Sequence, residues 1–311
     1  MYIKIIGFAF LGIFCKYIYR KYINDNLTND DRWTESICKK HSKTFYKASL
    51  FYPKQVRYDI FRLYSFARIS DDMIDHYSGE KQTDNYNFIY NFVSTHTFNE
   101  TYHHTNKTDV IRSFTIYNDL VKDCQIPQVY TRLLIDGFKQ DTEKLPIKDE
   151  TDLIHYCECV ASSIGYISVY IFNKHYPFPI TPELLEQAKS LGIAFQLTNI
   201  ARDILTDLNN DRIYIPFTWL KHNKEGLKNP YIAKIYSDIF IDYAEKYYKK
   251  ALLGVYKLPK QVRFAIKSAL FIYREIGMKI KQKKYLPERE YVTTTHQIKL
   301  LLQSYFNCIS L

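Results

Sequence analysis

Residues 183–216 read ELLEQAKSLGIAFQLTNIARDILTDLNNDRIYIP. Apolar residues recur there at spacings of three and four, the pattern of an amphipathic helix. At 100° per residue, Gln196, Asn199, Asp203 and Asp207 stand at i, i+3, i+7 and i+11, an arc of about 80°. Leu197, Ile200, Ala201, Ile204 and Leu205 lie elsewhere on the same helix. Amides and then carboxylates therefore line one face of an otherwise apolar element.

A second stretch repeats this logic. In RYDIFRLYSFARISDDMIDHY, residues 57–77, Tyr64, Arg68, Asp71 and Asp75 fall within about 60° of one another, with Asp72 beside them. Ile60, Leu63, Ala67, Ile69 and Ile74 fill the other faces. Like charges one turn apart repel weakly on an exposed helix and strongly when desolvated, so a buried acidic stripe requires a compensating cation. Two such helices facing each other offer only hard oxygen ligands in an apolar setting. That donor set suits Mg²⁺ bridging to substrate phosphates rather than zinc or haem. Arg68 and Arg202 add planar forks for phosphate oxygens.

Outward from these two segments, the three-and-four periodicity predicts helices near 34–49, 55–76, 107–122, 127–140, 150–172, 183–208, 231–252, 259–283 and 292–306. Pro53, Pro127, Pro182, Pro230 and Pro259 sit near proposed helix starts, where a missing N–H is tolerated. Residues 78–106 are polar and rich in Asn and Thr, so they read as a loop or a variable short helix. No internal repeat or linker divides 30–311, which reads as one all-α domain. With 9 Gly and 10 Pro in 311 residues, these two make up about 6% against roughly 12% in an average chain. Folds that need many tight turns are thereby disfavoured.

The same glycines exclude nucleotide-binding signatures. No pair stands at G-x-G, and Gly7 and Gly12 are followed by Ile13 rather than Lys. The six cysteines (Cys15, Cys38, Cys124, Cys157, Cys159 and Cys308) form no C-x-x-C. They read as reduced core thiols of a cytosol-facing protein. The net charge is +10, but the basic residues are dispersed without a nucleic-acid-binding signature, so a nucleic-acid partner is not expected. A basic surface also favours anionic membranes and phosphorylated substrates. Residues 5–15, IIGFAFLGIFC, are uninterruptedly apolar and are followed by Arg20, Lys21 and Tyr22. The run is short for a full span. Residues 1–24 therefore read as a retained hydrophobic anchor with a basic-aromatic collar, a cleaved signal or a helix packed on the domain being the alternatives; an anchor would put the protein at a membrane surface with its main domain towards the cytoplasm.

At these residues the chain resembles the phytoene synthase/squalene synthase family, the head-to-head prenyltransferases. The resemblance runs from about 36 to 295 through HSKTFYKASLFYPKQVR (41–57), YSFARISDDMID (64–75), DGFKQD (136–141), YCECVASSIGYISV (156–169), LGIAFQLTNIARDILTDLNNDRIYIP (191–216), AIKSALFIYREI (265–276) and EREYV (288–292). It implies an isoprenoid-synthase helical bundle with a central cavity and two prenyl diphosphates as substrates. Metal would be held by Asp71, Asp75, Asp203 and Asp207, with Asp72 in the first acidic block. Gln196 and Asn199 would hold substrate, metal or a water. Arg68, Arg202 and Arg289 match basic positions that contact diphosphate, and Tyr64 and Tyr214 match aromatic positions near the reacting carbons. Ser42, Phe45, Val160, Ile164 and Gly165 match cavity-wall positions.

The implied activity is condensation of two geranylgeranyl diphosphates to phytoene with Mg²⁺, Mn²⁺ being the alternative ion. Squalene or dehydrosqualene formation from farnesyl diphosphate and terpene cyclisation are alternatives on the same scaffold, NADPH entering only with squalene. A non-catalytic respiratory-complex assembly factor is the alternative of another class. Departures from the family pattern occur at Ser162 and Ser163, where Gly-Thr is usual, at Ala201, and at Asn210 and Asp211 before Arg212. They bear on cavity shape and product length.

Overall fold

The computed structural model describes residues 27–97 and 107–287. The expected anchor at 1–24, the expected helix at 292–306, Arg289, Cys15 and Cys308 lie outside them. Twelve α-helices follow one another with no strand among the described residues: α1 (Asn29–His41), α2 (Lys43–Ser49), α3 (Lys54–Asp75), α4 (Glu80–Thr95), α5 (Lys107–Asp123), α6 (Gln128–Thr142), α7 (Glu150–Cys157), α8 (Ser163–His175), α9 (Pro182–Asn209), α10 (Lys224–Leu227), α11 (Pro230–Val255) and α12 (Lys260–Lys281). A π-helical turn, Glu158–Ser162, joins α7 to α8. The all-α reading of the sequence holds.

Local chemistry sets the boundaries. Thr28 and Asp31 form a capping box at α1, with Asp31 N donating to Thr28 Oγ1 at 3.0 Å and Thr28 N to Asp31 Oδ2 at 3.2 Å. Thr181 and Asn229 cap α9 and α11 through their side chains, and Pro182 and Pro230 occupy the first helical positions. Two segments differ from the sequence expectation. Residues 34–49 are broken at Ser42, which leaves the helical region at φ −143° and turns the chain into α2. The polar segment after Gly79 holds a full helix, α4. Its buried Gln82 and Asn85 donate to the Ile74 and Met73 carbonyls at 3.0 and 2.7 Å, so residues that read as solvent-facing instead satisfy backbone acceptors near the end of α3.

The helices build two apolar clusters, one centred on α3, α5, α6 and α8 and the other on α9, α11 and α12, with Ile266 packed against both. Helix α9 runs between them. It approaches the π turn so closely that a Cβ on Gly192 would lie 2.5 Å from the Ser162 backbone. Gly165 of α8 lies against the Ala188 carbonyl in the same way, at 3.0 Å. These contacts make α8 and α9 antiparallel and hold them at close range. Cys38, Cys124, Cys157 and Cys159 are free and buried.

Candidate active site

A cavity of about 350 Å³ opens between α2, α3, the π turn, α8, α9, α11 and α12. Of the expected site residues, Ser42, Phe45, Tyr64, Val160, Ile164, Gly165, Gln196 and Asn199 line it. The break at Ser42 explains how two residues of the 41–57 segment reach the wall. Phe45 stacks on Tyr64 with ring centroids 5.2 Å apart. Gln196 and Asn199 lie side by side, amide to amide at 3.5 Å. At the far end, Tyr52, Phe172, Leu184 and Leu258 close the cavity, the two rings 5.6 Å apart. Apart from Gln196 and Asn199 at one end and the Gln187 amide and Tyr52 hydroxyl towards the other, the wall is largely hydrocarbon.

The acidic rows lie beyond the Tyr64 and Asn199 end, each neutralised by arginine. Arg68 is bonded to Asp72 and reaches Asp71 at 3.4 Å. Arg202 grips its neighbour Asp203, Nε to Oδ1 at 2.8 Å. Arg212 crosses from the loop after α9 to Asp75 on α3, Nη1 to Oδ2 at 3.3 Å. Arg212 and Asp141 link the two rows electrostatically. Burial first, and then Asp75, push Asp71 well above the usual carboxylate range, with Arg68 opposing and Asp141 adding. Burial and Asp203 raise Asp207 to about 7 against the pull of Arg212 and Arg202, with Asp141 again contributing. Asp71, Asp203 and Asp207 are partly buried, whereas Asp75 at the end of α3 is exposed; Arg212 and Asp141 act on carboxylates of both rows.

Three residues that were not among the expected site residues complete this end. Asp141, in the last turn of α6, accepts from the Tyr214 hydroxyl at 3.1 Å and the Tyr156 hydroxyl at 3.2 Å. Burial raises its carboxyl to about 6 despite Arg212. The Tyr156 and Tyr214 rings stack 4.9 Å apart. Asp141 has no carboxylate one turn away in its helix, Tyr156 is one of 29 tyrosines, and Arg212 lies in a loop, so no periodic signal marks any of them. Among the described residues, no three carboxylate, His or Cys side chains converge as a ready-made metal cage. Carboxylates from α3 and α9 with arginines among them would suit an ion that keeps open coordination positions for phosphate oxygens and water, the habit of Mg²⁺.

Residues 38–296 match the family model of squalene/phytoene synthase. The chain belongs to the squalene/phytoene synthase family. It is 29% identical over 310 residues to the bifunctional lycopene cyclase/phytoene synthase of Blakeslea trispora, covering 92% of this chain and 50% of that one. It is likewise 29% identical to the 15-cis-phytoene synthase of Pantoea ananas, over 84% of this chain and 86% of that one. The chain therefore spans about half the length of the bifunctional relatives and most of the length of the bacterial one. Among solved structures it is similar to a dehydrosqualene synthase in complex with ligand, with a TM-score of 0.75, 25% identity, and coverage of 94% of this chain and 100% of that one. It also shares the fold of squalene synthase HpnC from Alicyclobacillus acidocaldarius, with a TM-score of 0.67 and 19% identity over 84% of this chain and 98% of that one.

Proposed function

We propose that this protein is a Mg²⁺-dependent prenyltransferase that joins two geranylgeranyl diphosphates head to head to give phytoene. The observation that carries the choice of substrate is the length of the cavity. Its lining runs along α9 from Asn199 to Leu184, fifteen residues or ~22 Å of helix. Subtracting ~4 Å for contact with the floor side chains leaves ~18 Å. An extended chain advances ~3.5 Å over three bonds. The fifteen main-chain bonds of a geranylgeranyl group thus need ~17 Å, and the eleven of a farnesyl group ~13 Å. Along α9 the lining thus supports a geranylgeranyl rather than a farnesyl tail for the one of the two chains that reaches towards Tyr52 and Phe172.

Diphosphate binding at the mouth accounts for the arginine arrangement. Arg68, Arg202 and Arg212 rest on carboxylates that a metal would claim; released, their forks meet the diphosphate oxygens. Magnesium, held by Asp71, Asp75, Asp203, Asp207 and Asn199, would supply electrostatic stabilisation of charge developing on the leaving diphosphate. Ionisation would leave diphosphate and an allylic cation, which the double bond of the second chain captures with loss of a proton to close a cyclopropyl diphosphate; loss of the second diphosphate, rearrangement and loss of a second proton would then give phytoene. The largely hydrocarbon wall excludes water that would quench these cations. The faces of Tyr64 and Phe45 each contribute about 0.5–2 kcal/mol of cation–π attraction. No reductant enters this sequence; NADPH belongs to the squalene alternative.

The test is incubation of the full chain with geranylgeranyl or farnesyl diphosphate, with and without Mg²⁺ and NADPH, followed by mass spectrometry of the products. Phytoene formed only with the metal is expected. Squalene that requires NADPH, or a cyclic hydrocarbon from a single substrate, would replace this reading.

A further inference from the structure

Residues 246–263 read KYYKKALLGVYKLPKQVR, with six Lys and Arg and no Asp or Glu. They form the last turns of α11, the turn that follows and the start of α12. On α11, Lys246, Lys249, Lys250 and Leu253 fall within an arc of about 100°, and all four are exposed. Leu253, near the middle of this stripe, is 64% exposed, the highest value among the large apolar residues described. Lys246 and Lys250 lean over the Tyr243 and Tyr247 rings, at 4.4 and 5.4 Å from their centroids. Carboxylates near the stripe are already engaged: Asp242 with Lys281, Glu245 with Arg274, and Glu183 of α9 with Lys257. Glu186 on α9 and Glu150 on α7, which accepts from the Tyr243 hydroxyl at 2.8 Å, add two exposed negative charges against the six cationic residues.

The opposite side of the same two turns faces inward. Ala251, Gly254 and Val255 line the cavity and Leu258 closes its floor. One helix diameter, about 10 Å, therefore separates the tail end of the cavity from a basic surface with an exposed leucine at its centre. Lysines flanking an apolar side chain match the interface of an anionic bilayer, where the cations meet headgroups and the apolar group enters the acyl boundary.

We infer that this face, Lys246, Lys249, Lys250 and Leu253 with Lys257 and Lys260, docks the protein on an anionic lipid surface. The chain then stands with the floor of its cavity towards the membrane and its acidic mouth towards water. A prenyl chain has its apolar end at the bilayer in that orientation and its diphosphate in solution. The inference takes the cavity to be the prenyl site; the docking itself is measured independently of turnover.

The experiment is flotation of the full chain with vesicles of phosphatidylcholine alone and of phosphatidylcholine mixed with phosphatidylserine, over a salt series. Wild type is compared with the Lys249→Glu, Lys250→Glu, Leu253→Ser triple variant. Each lysine near an anionic leaflet is worth about fivefold in partitioning. The variant should therefore lose at least about tenfold of the binding to anionic vesicles, while its circular dichroism and its turnover in detergent stay unchanged. Wild-type binding should also fall as salt rises. An unchanged preference of the variant for anionic vesicles overturns the assignment. So does equal binding of wild type to neutral and anionic vesicles, or displacement of wild type by an oligonucleotide at equal charge, which would make the face a nucleic-acid surface. Failure of any of these leaves the condensation reaction to be judged by its own products.

Discussion

Ser168 lines the cavity on α8, one turn beyond Gly165, which lies against Ala188 of the antiparallel α9. Its hydroxyl is spent on the Ile164 carbonyl at 2.7 Å, so the side chain contributes no polar group to the cavity. Helical side chains lean towards the N-terminus of their own helix, which for α8 is the direction of the mouth. Ser168→Phe should therefore raise the floor by about one turn, ~5 Å. The ~18 Å depth becomes ~13 Å, enough for a farnesyl chain but one isoprene unit short for a geranylgeranyl chain. Leaving five carbons unburied costs about 4 kcal/mol at ~0.8 kcal/mol per methylene. That corresponds to a loss in kcat/KM for geranylgeranyl diphosphate on the order of several hundredfold. Farnesyl diphosphate should be used at least as well as by wild type. The assay is product formation from each substrate separately, on protein whose thermal unfolding shows it to be folded. A folded variant with the wild-type ratio of the two kcat/KM values refutes the depth argument, and with it the choice of a twenty-carbon substrate.

Asp71→Asn and Asp203→Asn should each lower turnover by at least about a thousandfold, because the developing charge on the leaving group loses its counter-ion. Asp71→Asn should melt no lower than wild type, since it relieves like-charge repulsion in the metal-free site, whereas Asp203→Asn also deprives Arg202 of its charged partner and should melt lower while still folding; wild-type activity in either rules out the metal assignment. Metal-free stability should depend on pH in a definite sense. Asp207 and Asp141 sit at about 7 and about 6 in the folded chain, above the ordinary aspartate value of about 4 in the unfolded one. The folded chain therefore retains protons that the unfolded chain releases, and stability should fall as pH rises from about 4 to about 7. Calorimetry of the metal-free chain should give a melting temperature that declines across that window. Mg²⁺ with inorganic diphosphate should restore most of the loss at the upper end, and a melting temperature that climbs with pH would contradict the crowding of these carboxylates.

The parts of the structure that follow a helical period were legible in the residues themselves. The acidic rows on α3 and α9 stand out because an oxygen stripe on an apolar helix breaks its own pattern, and most helix limits follow from Pro, Thr and Asn at the starts. What could not be read depends on contacts between distant segments. Gln82 and Asn85 look like surface residues until the Ile74 and Met73 carbonyls are found beside them. Asp141 becomes part of the mouth only because α6 ends where Tyr156 and Tyr214 can donate to it. Arg212 becomes the bridge between the rows only when the loop after α9 folds back to Asp75. Ser42 hides a helix break, since neither Gly nor Pro marks the turn. For Asp141 and Arg212 the decisive partner is remote in sequence, and a periodicity argument sees only neighbours.

The close approach of α9 to the π turn links the carboxylates to the cavity wall, and two glycines allow this to be tested separately from the chemistry. A Cβ on Gly192 would meet the Ser162 Cα and N at 2.5 Å, whereas one on Gly137 would meet the Val160 Cγ1 methyl at 2.6 Å. Backbone cannot rotate out of the way and a valine methyl can, so nearly equal distances should have unequal consequences. Alanine in place of an interior helical glycine brings about 1 kcal/mol of helix propensity, against about 1–3 kcal/mol for overpacking. Gly137→Ala should come out near neutral, with activity retained. Gly192→Ala should push α9 from the π turn, strain the Ser162 hydroxyl's 2.8 Å bond to the Lys189 carbonyl, and destabilise the chain by about 1–2 kcal/mol. Asn199, Asp203 and Asp207 ride on the same helix, so the displacement should carry them away from Asp71 and Asp75 and lower kcat more than KM changes. Urea unfolding and steady-state kinetics on the two variants decide the matter. If Gly192→Ala is as stable and as active as Gly137→Ala, the position of the second acidic row is not set by this contact.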